Sequence, residues 1–161
     1  MARKVILYIA SSLDGFIARK DGKIDWLPGS DGSENKSGDG AEDYGYGDLM
    51  KKIDTILMGR KTYDQVLTFG DWPYSGIKTY VCTSNKIKED ENIEVNSDAV
   101  NLVNRLKKKD GKDIWLVGGA GLNGSLLNEG LVDEIILTVI PVVIGSGIGL
   151  FSNVAKDAKM N

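Results

Sequence analysis

The chain has 161 residues, 42% of them hydrophobic and 7% aromatic, which suffices for one domain with a real core and leaves no room for a second. Its formal net charge of −3 gives no global attraction for nucleic acid or an anionic membrane, so a small-molecule partner is expected. It contains no histidine and a single cysteine, Cys82, which removes the commonest general base, Ser-His and Cys-His triads, zinc sites and any internal disulfide.

The elements follow in chain order. "KVILYIAS" (4–11) reads as a buried first strand ending at the turn Asp14-Gly15, and a loop region follows. The glycine-, serine- and aspartate-rich stretch 28–48 reads mostly as a surface loop, and one this long inside a small domain points to a lid or binding segment. A helix is expected to begin near Ala41 to Asp43 and run through "YGYGDLMKK". "DTILMG" (54–59) is a short buried strand, followed by a helix over "RKTYDQVLT". "KTYVCTSN" (78–85) is the next strand and "NIEVN" a short edge strand. "SDAVNLVNRLKKKDG" is the clearest helix, with Ser97 as N-cap, apolar residues at 99, 102, 103 and 106, and Gly111 past its end. Its basic cluster, Arg105, Lys107, Lys108, Lys109 and Lys112, complements the helix dipole. "DIWLVG" (113–118) is a strand, "LNGSLLNE" a helix stopped by Gly130, and "DEIILTVIPVVIG" (133–145) a strand broken by Pro141. Such alternation predicts a single α/β domain over 1–161, with a mostly parallel sheet and helices on both faces. Cys82 lies in an apolar strand and reads as a small core residue. No stretch reaches the roughly 20 apolar residues of a membrane span, and no cleavage-site pattern follows the N-terminus, so a cytoplasmic protein is expected.

Gly119-Ala120-Gly121-Leu122-Asn123-Gly124 matches the dinucleotide fingerprint G-x-G-x-x-G. The ribose-binding acid of that motif belongs at the far end of the next strand, whereas Asp133 and Glu134 stand at its start. What remains is a turn at Gly118 to Gly121 that brings backbone N–H groups against a phosphate at a helix N-terminus, or a tight turn without a ligand. "LMGRKTY" offers a second cradle, Gly59 at a strand end and Arg60, Lys61 and Thr62 on a first helical turn where cations oppose the dipole unless an anion binds. "CTSN" adds Thr83, Ser84 and Asn85. In an open α/β sheet these three strand ends face one crevice.

"VILYIASSLDGFIA", "IDWLPG", "ILMGRKTYDQV", "YVCTSN", "IWLVGGAGLNGSLLNEGLVDEIILTVIPVVIG" and "GIGLF", in this order, resemble the dihydrofolate-reductase-like superfamily. The nearest resemblance is to stand-alone proteins similar to the C-terminal reductase domain of the riboflavin-biosynthesis deaminase-reductase, and it covers nearly the whole chain. It implies the dihydrofolate-reductase-like fold and a reductase using NADPH. It also implies that Gly59, Arg60, Lys61, Thr62, Thr83, Ser84 and Asn85 hold the 2′-phosphate and pyrophosphate. Gly118 and Gly119, often joined by a cis peptide in such proteins, would lie under the pyrophosphate and nicotinamide, with Ala120, Gly121 and Leu122 beside them. Ala10, Asp14, Gly15, Phe16 and Ile17 would wall the nicotinamide. Two carboxylates compete as proton source: Asp14 in "SLDG", and Asp43, fifteen residues before Met58, which would also bind substrate together with Trp26. Asp14 reads equally as a turn former, Asp43 as a first-turn helix acid, and Trp26 as a core cap.

The substrate implied is a pterin- or pyrimidine-related heterocycle reduced at a C=N or C=O bond, as in the riboflavin-pathway reductase or, alternatively, dihydrofolate reductase. A non-catalytic dinucleotide- or phosphate-binding module is the rival of another class. The D-[DN]-P-x-L-x-x-R stretch of riboflavin-pathway reductases is replaced here by "DQVLTFGDWPYSG". The chain ends at "FSNVAKDAKMN", where such proteins usually add a final strand or hairpin, and the sheet edge so exposed predicts a homodimer.

Overall fold

The computed structural model describes residues 2–28 and 43–161. Most of the glycine-rich stretch, and residues 41 and 42 of the expected helix start, lie outside the described residues. Twelve elements are described: β1 (Val5–Ser12), β2 (Phe16–Ala18), α1 (Tyr46–Lys52), β3 (Ile53–Gly59), α2 (Arg60–Leu67), β4 (Lys78–Cys82), β5 (Ile93–Asn96), α3 (Ala99–Lys107), β6 (Asp113–Gly118), α4 (Ala120–Asn128), β7 (Glu134–Ile140) and β8 (Ile148–Gly149).

Six strands form one sheet in the order β5-β4-β3-β6-β1-β7, and every pairing in it is parallel. A parallel sheet is buried on both faces, so its strands read as continuous apolar runs whose alternate residues serve opposite cores. Val5 and Leu7 of β1 pack with Leu57, Ile114 and Leu116 under Leu102, Val103 and Leu106 of α3 and Leu126 of α4. Ile6 points the other way and packs with Ile56, Met58, Val81 and Trp115 under Leu49 of α1 and Tyr63 of α2. The expectation of helices on both faces is therefore met.

The chain leaves β1 for β3, steps outward to β5, and returns through β6 between β3 and β1. That reversal opens a crevice at the carboxyl ends of the strands. At the opposite end Arg3, only 5% exposed, pairs with Asp54 and donates to the Thr55 hydroxyl (2.7 Å) and the Lys112 carbonyl (2.6 Å). β7 is an outer strand with Leu137 and Val139 exposed.

Four local expectations are corrected. The cap of α3 is Asp98, not Ser97: its carboxylate accepts from Asn101 N at 3.0 Å. α1 begins at Tyr46, after Gly45 in the left-handed region (φ 82°), where glycine is at ease and a longer helix ends. α4 starts two residues before Leu122, directly at the glycine turn. The region after β1 and the segment after Pro141 each contain a short strand, β2 and β8, which pair antiparallel outside the main sheet.

Candidate cofactor and substrate cavity

The carboxyl ends of β1, β3, β4, β5 and β6 open on one cavity of about 1480 Å³. Single-ligand pockets are typically ~300–1,000 Å³, so this space admits a large ligand beside a smaller one. Ile9 and Ala10 of β1, Gly59 of β3, Cys82 to Ser84 at β4, Asn96 of β5 and Val117 to Leu122 at β6 all line it. Burial pushes the Cys82 thiol up to about 12, so it serves as an apolar wall.

At the first helix start, Gly59 enters α2 in an extended conformation (φ −77°, ψ 169°) with no side-chain cap and no acid in the first turn. The N–H groups of that turn are therefore open to an anion. Arg60, Lys61 and Thr62 surround them and line the cavity. Arg60 Nε donates to Asp64 Oδ1 at 2.9 Å and its Nη1 to the Lys86 carbonyl at 3.4 Å, which holds the guanidinium between α2 and the segment after β4. The Lys61 ammonium and the hydroxyls of Thr62 and Ser84 have no partner among the described residues. Thr83 Oγ1 accepts from Asn85 N at 3.1 Å; Asn85 stands outside the lining.

The second helix start is the turn at β6. Gly118 has φ 131°, a conformation side chains avoid, and the Gly118–Gly119 peptide is cis. Gly119 then enters α4 extended, again without a side-chain cap. A Cβ on Gly119 would stand 3.7 Å from Thr62 Oγ1, so the two helix starts are neighbours around one space. Behind the turn lies Asn123, fully buried: its backbone N donates to the Gly119 carbonyl at 2.9 Å, its Nδ2 to the Leu150 carbonyl at 2.9 Å, and its Oδ1 has no partner among the described residues.

Comparison with known proteins assigns this arrangement to a family. Residues 3–75 and 74–161 match the model of the RibD C-terminal domain. The chain belongs to the RibD C-terminal domain family. It is 42% identical over 163 residues to the protein YwjB of Bacillus subtilis strain 168, covering 99% of this chain and 89% of that one. It is 26% identical over 166 residues to the riboflavin biosynthesis protein RibD of Corynebacterium ammoniagenes, covering 92% of this chain and 46% of that one. Among solved structures, a Shewanella sp. PV-4 protein provisionally assigned to riboflavin biosynthesis superposes with TM-score 0.80 at 32% identity, over 100% of this chain and 89% of that one. Dihydrofolate reductase from Enterococcus faecalis superposes with TM-score 0.64 at 19% identity, over 93% of this chain and 79% of that one, a likeness of fold. The expected dihydrofolate-reductase-like fold is thus the one found.

Within this RibD-type domain the cradle residues named from the sequence come together, Asn85 excepted, and Ala10 and Ile17 join them as walls. The two acids and Trp26 lie outside the lining. Asp14 accepts from the Ser12 hydroxyl at 2.6 Å, from Ile144 N at 3.2 Å and from Gly145 N at 2.8 Å. Those bonds, the Ser12 hydroxyl foremost, hold its carboxyl below the usual carboxylate range. Asp43 accepts from Gly45 N at 2.9 Å and Gly47 N at 3.2 Å at the entry to α1. Trp26 is half-buried, with an indole N–H unpartnered among the described residues. Residues not singled out from the sequence also line the cavity: Asn96, Ser97 and Asp98 at the end of β5, the turn Lys20 to Lys23, Tyr74, and Ser152 from the C-terminal segment. The β5 end was open to the same strand-end logic as the other three, since "VNSD" again sets short polar residues between a strand and a helix. Among the described residues no helix is long and apolar enough to cross a membrane.

Proposed function

We propose that this chain is an NADPH-dependent reductase that delivers a hydride to a C=N or C=O bond of a flat heterocycle related to pterins or pyrimidines. The observation carrying this reading is the convergence of two uncapped helix N-termini, Gly59-Arg60 and Gly119-Ala120, with unpartnered Lys61, Thr62 and Ser84 on one cavity. Bare N–H groups, hydroxyls and a cation answer a polyphosphate better than any neutral ligand. The residues present fit the cofactor in this sense, and the cavity volume leaves space for a second molecule. The fold is shared with the Enterococcus faecalis dihydrofolate reductase, which is complexed with NADP(H).

In this proposal Arg60, braced by Asp64, reads the 2′-phosphate together with Thr83 and Ser84, while α2 and α4 hold the pyrophosphate. Ala10 and Ile17 wall the nicotinamide and exclude water. The bound dinucleotide supplies the hydride; the protein supplies orientation and charge. Asp14 stays charged at neutral pH and clamps the β1–β2 turn to residues 144–145, a positioning role. The Tyr74 phenol, pushed up to about 12 by burial and by Tyr46, remains protonated and lines the cavity, so it is available to donate to a carbonyl or imine acceptor.

Tryptophan fluorescence tests the cofactor directly, because Trp115 packs 5.4 Å from the ring of Tyr74, a cavity residue. Saturable quenching by NADPH, tighter than by NADH, is expected. Arg60→Ala should weaken NADPH about tenfold or more while leaving NADH nearly unchanged. Saturable binding of neither dinucleotide overturns the proposal.

A further inference from the structure

The C-terminal segment reaches the cavity by a route that the strand-end logic does not cover. After β8 pairs with β2, the backbone runs along α4 from its first turn to its last residue and is stapled there. Asn123 Nδ2 donates to the Leu150 carbonyl at 2.9 Å, Ser152 N to the Ala120 carbonyl at 3.0 Å, Asn128 Nδ2 to the Asn153 carbonyl at 2.8 Å, and Ala155 N to Asn128 Oδ1 at 2.9 Å. The approach is so close that a Cβ on Gly124 would lie 1.8 Å from the Ser152 carbonyl oxygen. One of the staples, Asn123, is a carboxamide with no exposed surface, and its bond to the Leu150 carbonyl offsets part of the cost of burying it.

What this crossing places is one hydroxyl. Ser152 lines the cavity; its Oγ lies 3.8 Å from where a Cβ on Gly121 would be and has no partner among the described residues. It therefore stands against the first turn of α4, whose N–H groups carry no side-chain cap. A neutral donor there adds a hydrogen bond to an anion already favoured by the helix N-terminus.

We propose that Ser152 is a further binding residue of the cavity, its hydroxyl donating to a pyrophosphate oxygen of the dinucleotide at the start of α4. The strap from Ile148 to Ala155 is the device that sets it there. This inference rests on the dinucleotide reading above. It differs from the Arg60 contact in a measurable way, since the pyrophosphate is common to NADPH and NADH.

The test is fluorescence titration of the full chain and its variants with both dinucleotides, with thermal midpoints measured alongside. Ser152→Ala should weaken NADPH and NADH equally, by about tenfold, with an unchanged midpoint. Ser152→Asp should weaken both by about a hundredfold through like-charge repulsion, and Ser152→Thr, which keeps the hydroxyl, should bind within about threefold of the parent. Unchanged affinity of Ser152→Ala, while the parent chain binds dinucleotide, overturns this inference and leaves the function standing. Loss confined to NADPH also overturns it. A parent chain that binds neither dinucleotide overturns the functional reading, and this inference with it.

Discussion

Gly124→Ala sets helix propensity against tertiary geometry, and the two predict opposite signs. Gly124 lies in the interior of α4, where alanine is better than glycine by about 1 kcal/mol, so an isolated helix would gain from the change. In the folded chain the new methyl would stand 1.8 Å from the Ser152 carbonyl oxygen, and that neighbour is backbone, which has no rotamer to escape into. The strap must lift. Overpacking of this kind costs about 1–3 kcal/mol. Loss of the Ser152 N–Ala120 and Asn123–Leu150 bonds adds about 1 kcal/mol each. Net of the propensity gain, the expected destabilisation is roughly 3 kcal/mol, which lowers the melting midpoint of a domain this size by about 6–12 °C. Urea denaturation followed by circular dichroism reads the difference. A stabilised or unchanged variant would refute the strap's packing and the placement of Ser152 that depends on it.

The remaining predictions concern other parts of the fold. Arg3→Met should cost roughly 2–3 kcal/mol, because it leaves the buried Thr55 hydroxyl, Asp54 and the Lys112 carbonyl without their shared donor; a urea midpoint within error of the parent refutes the network. Cys82, with its thiol near 12, should be about one part in 10⁴ thiolate at pH 8, so iodoacetamide should label it far more slowly in native buffer than in urea. Labelling at the unfolded rate would contradict the burial of the thiol at the end of β4. Asp14 has its folded-state pKa depressed, so its contribution is complete above the ordinary carboxylate value of 3.8 and is lost as pH falls below it. Asp14→Asn should therefore flatten the acid limb of the stability–pH curve, and an identical acid limb would show that the clamp to Ile144 and Gly145 does not form in solution.

How much of this was legible in the sequence depends on the range of the physics involved. β1, β3 and β6 are written plainly because each is a run of large apolar residues feeding two cores, and α3 because its apolar positions repeat at helical spacing. Its cap was misplaced by one residue: Ser97 and Asp98 are both good caps, and only the backbone at Asp98 (φ −132°, ψ 82°) decides which side chain reaches Asn101 N. β2 and β8 have three and two residues, too few for any periodicity, and they pair across a long sequence separation beside the turns that Asp14 joins through Ser12, Ile144 and Gly145. The site divides along the same line. The donors that line the cavity were legible because a strand end, a glycine and a helix start are consecutive, and parallel strands bring such ends together whatever the rest of the fold does. The surroundings of the two acids were not legible, because the N–H groups around a carboxylate come from the tertiary fold. Asp43 has two from the α1 entry and Asp14 has two from residues 144 and 145, and neither is among the residues lining the cavity. Ser152 was the least legible of all, since nothing around it in "GLFSNVAK" marks a site; its meaning lies in the missing side chain of Gly124, one helix away.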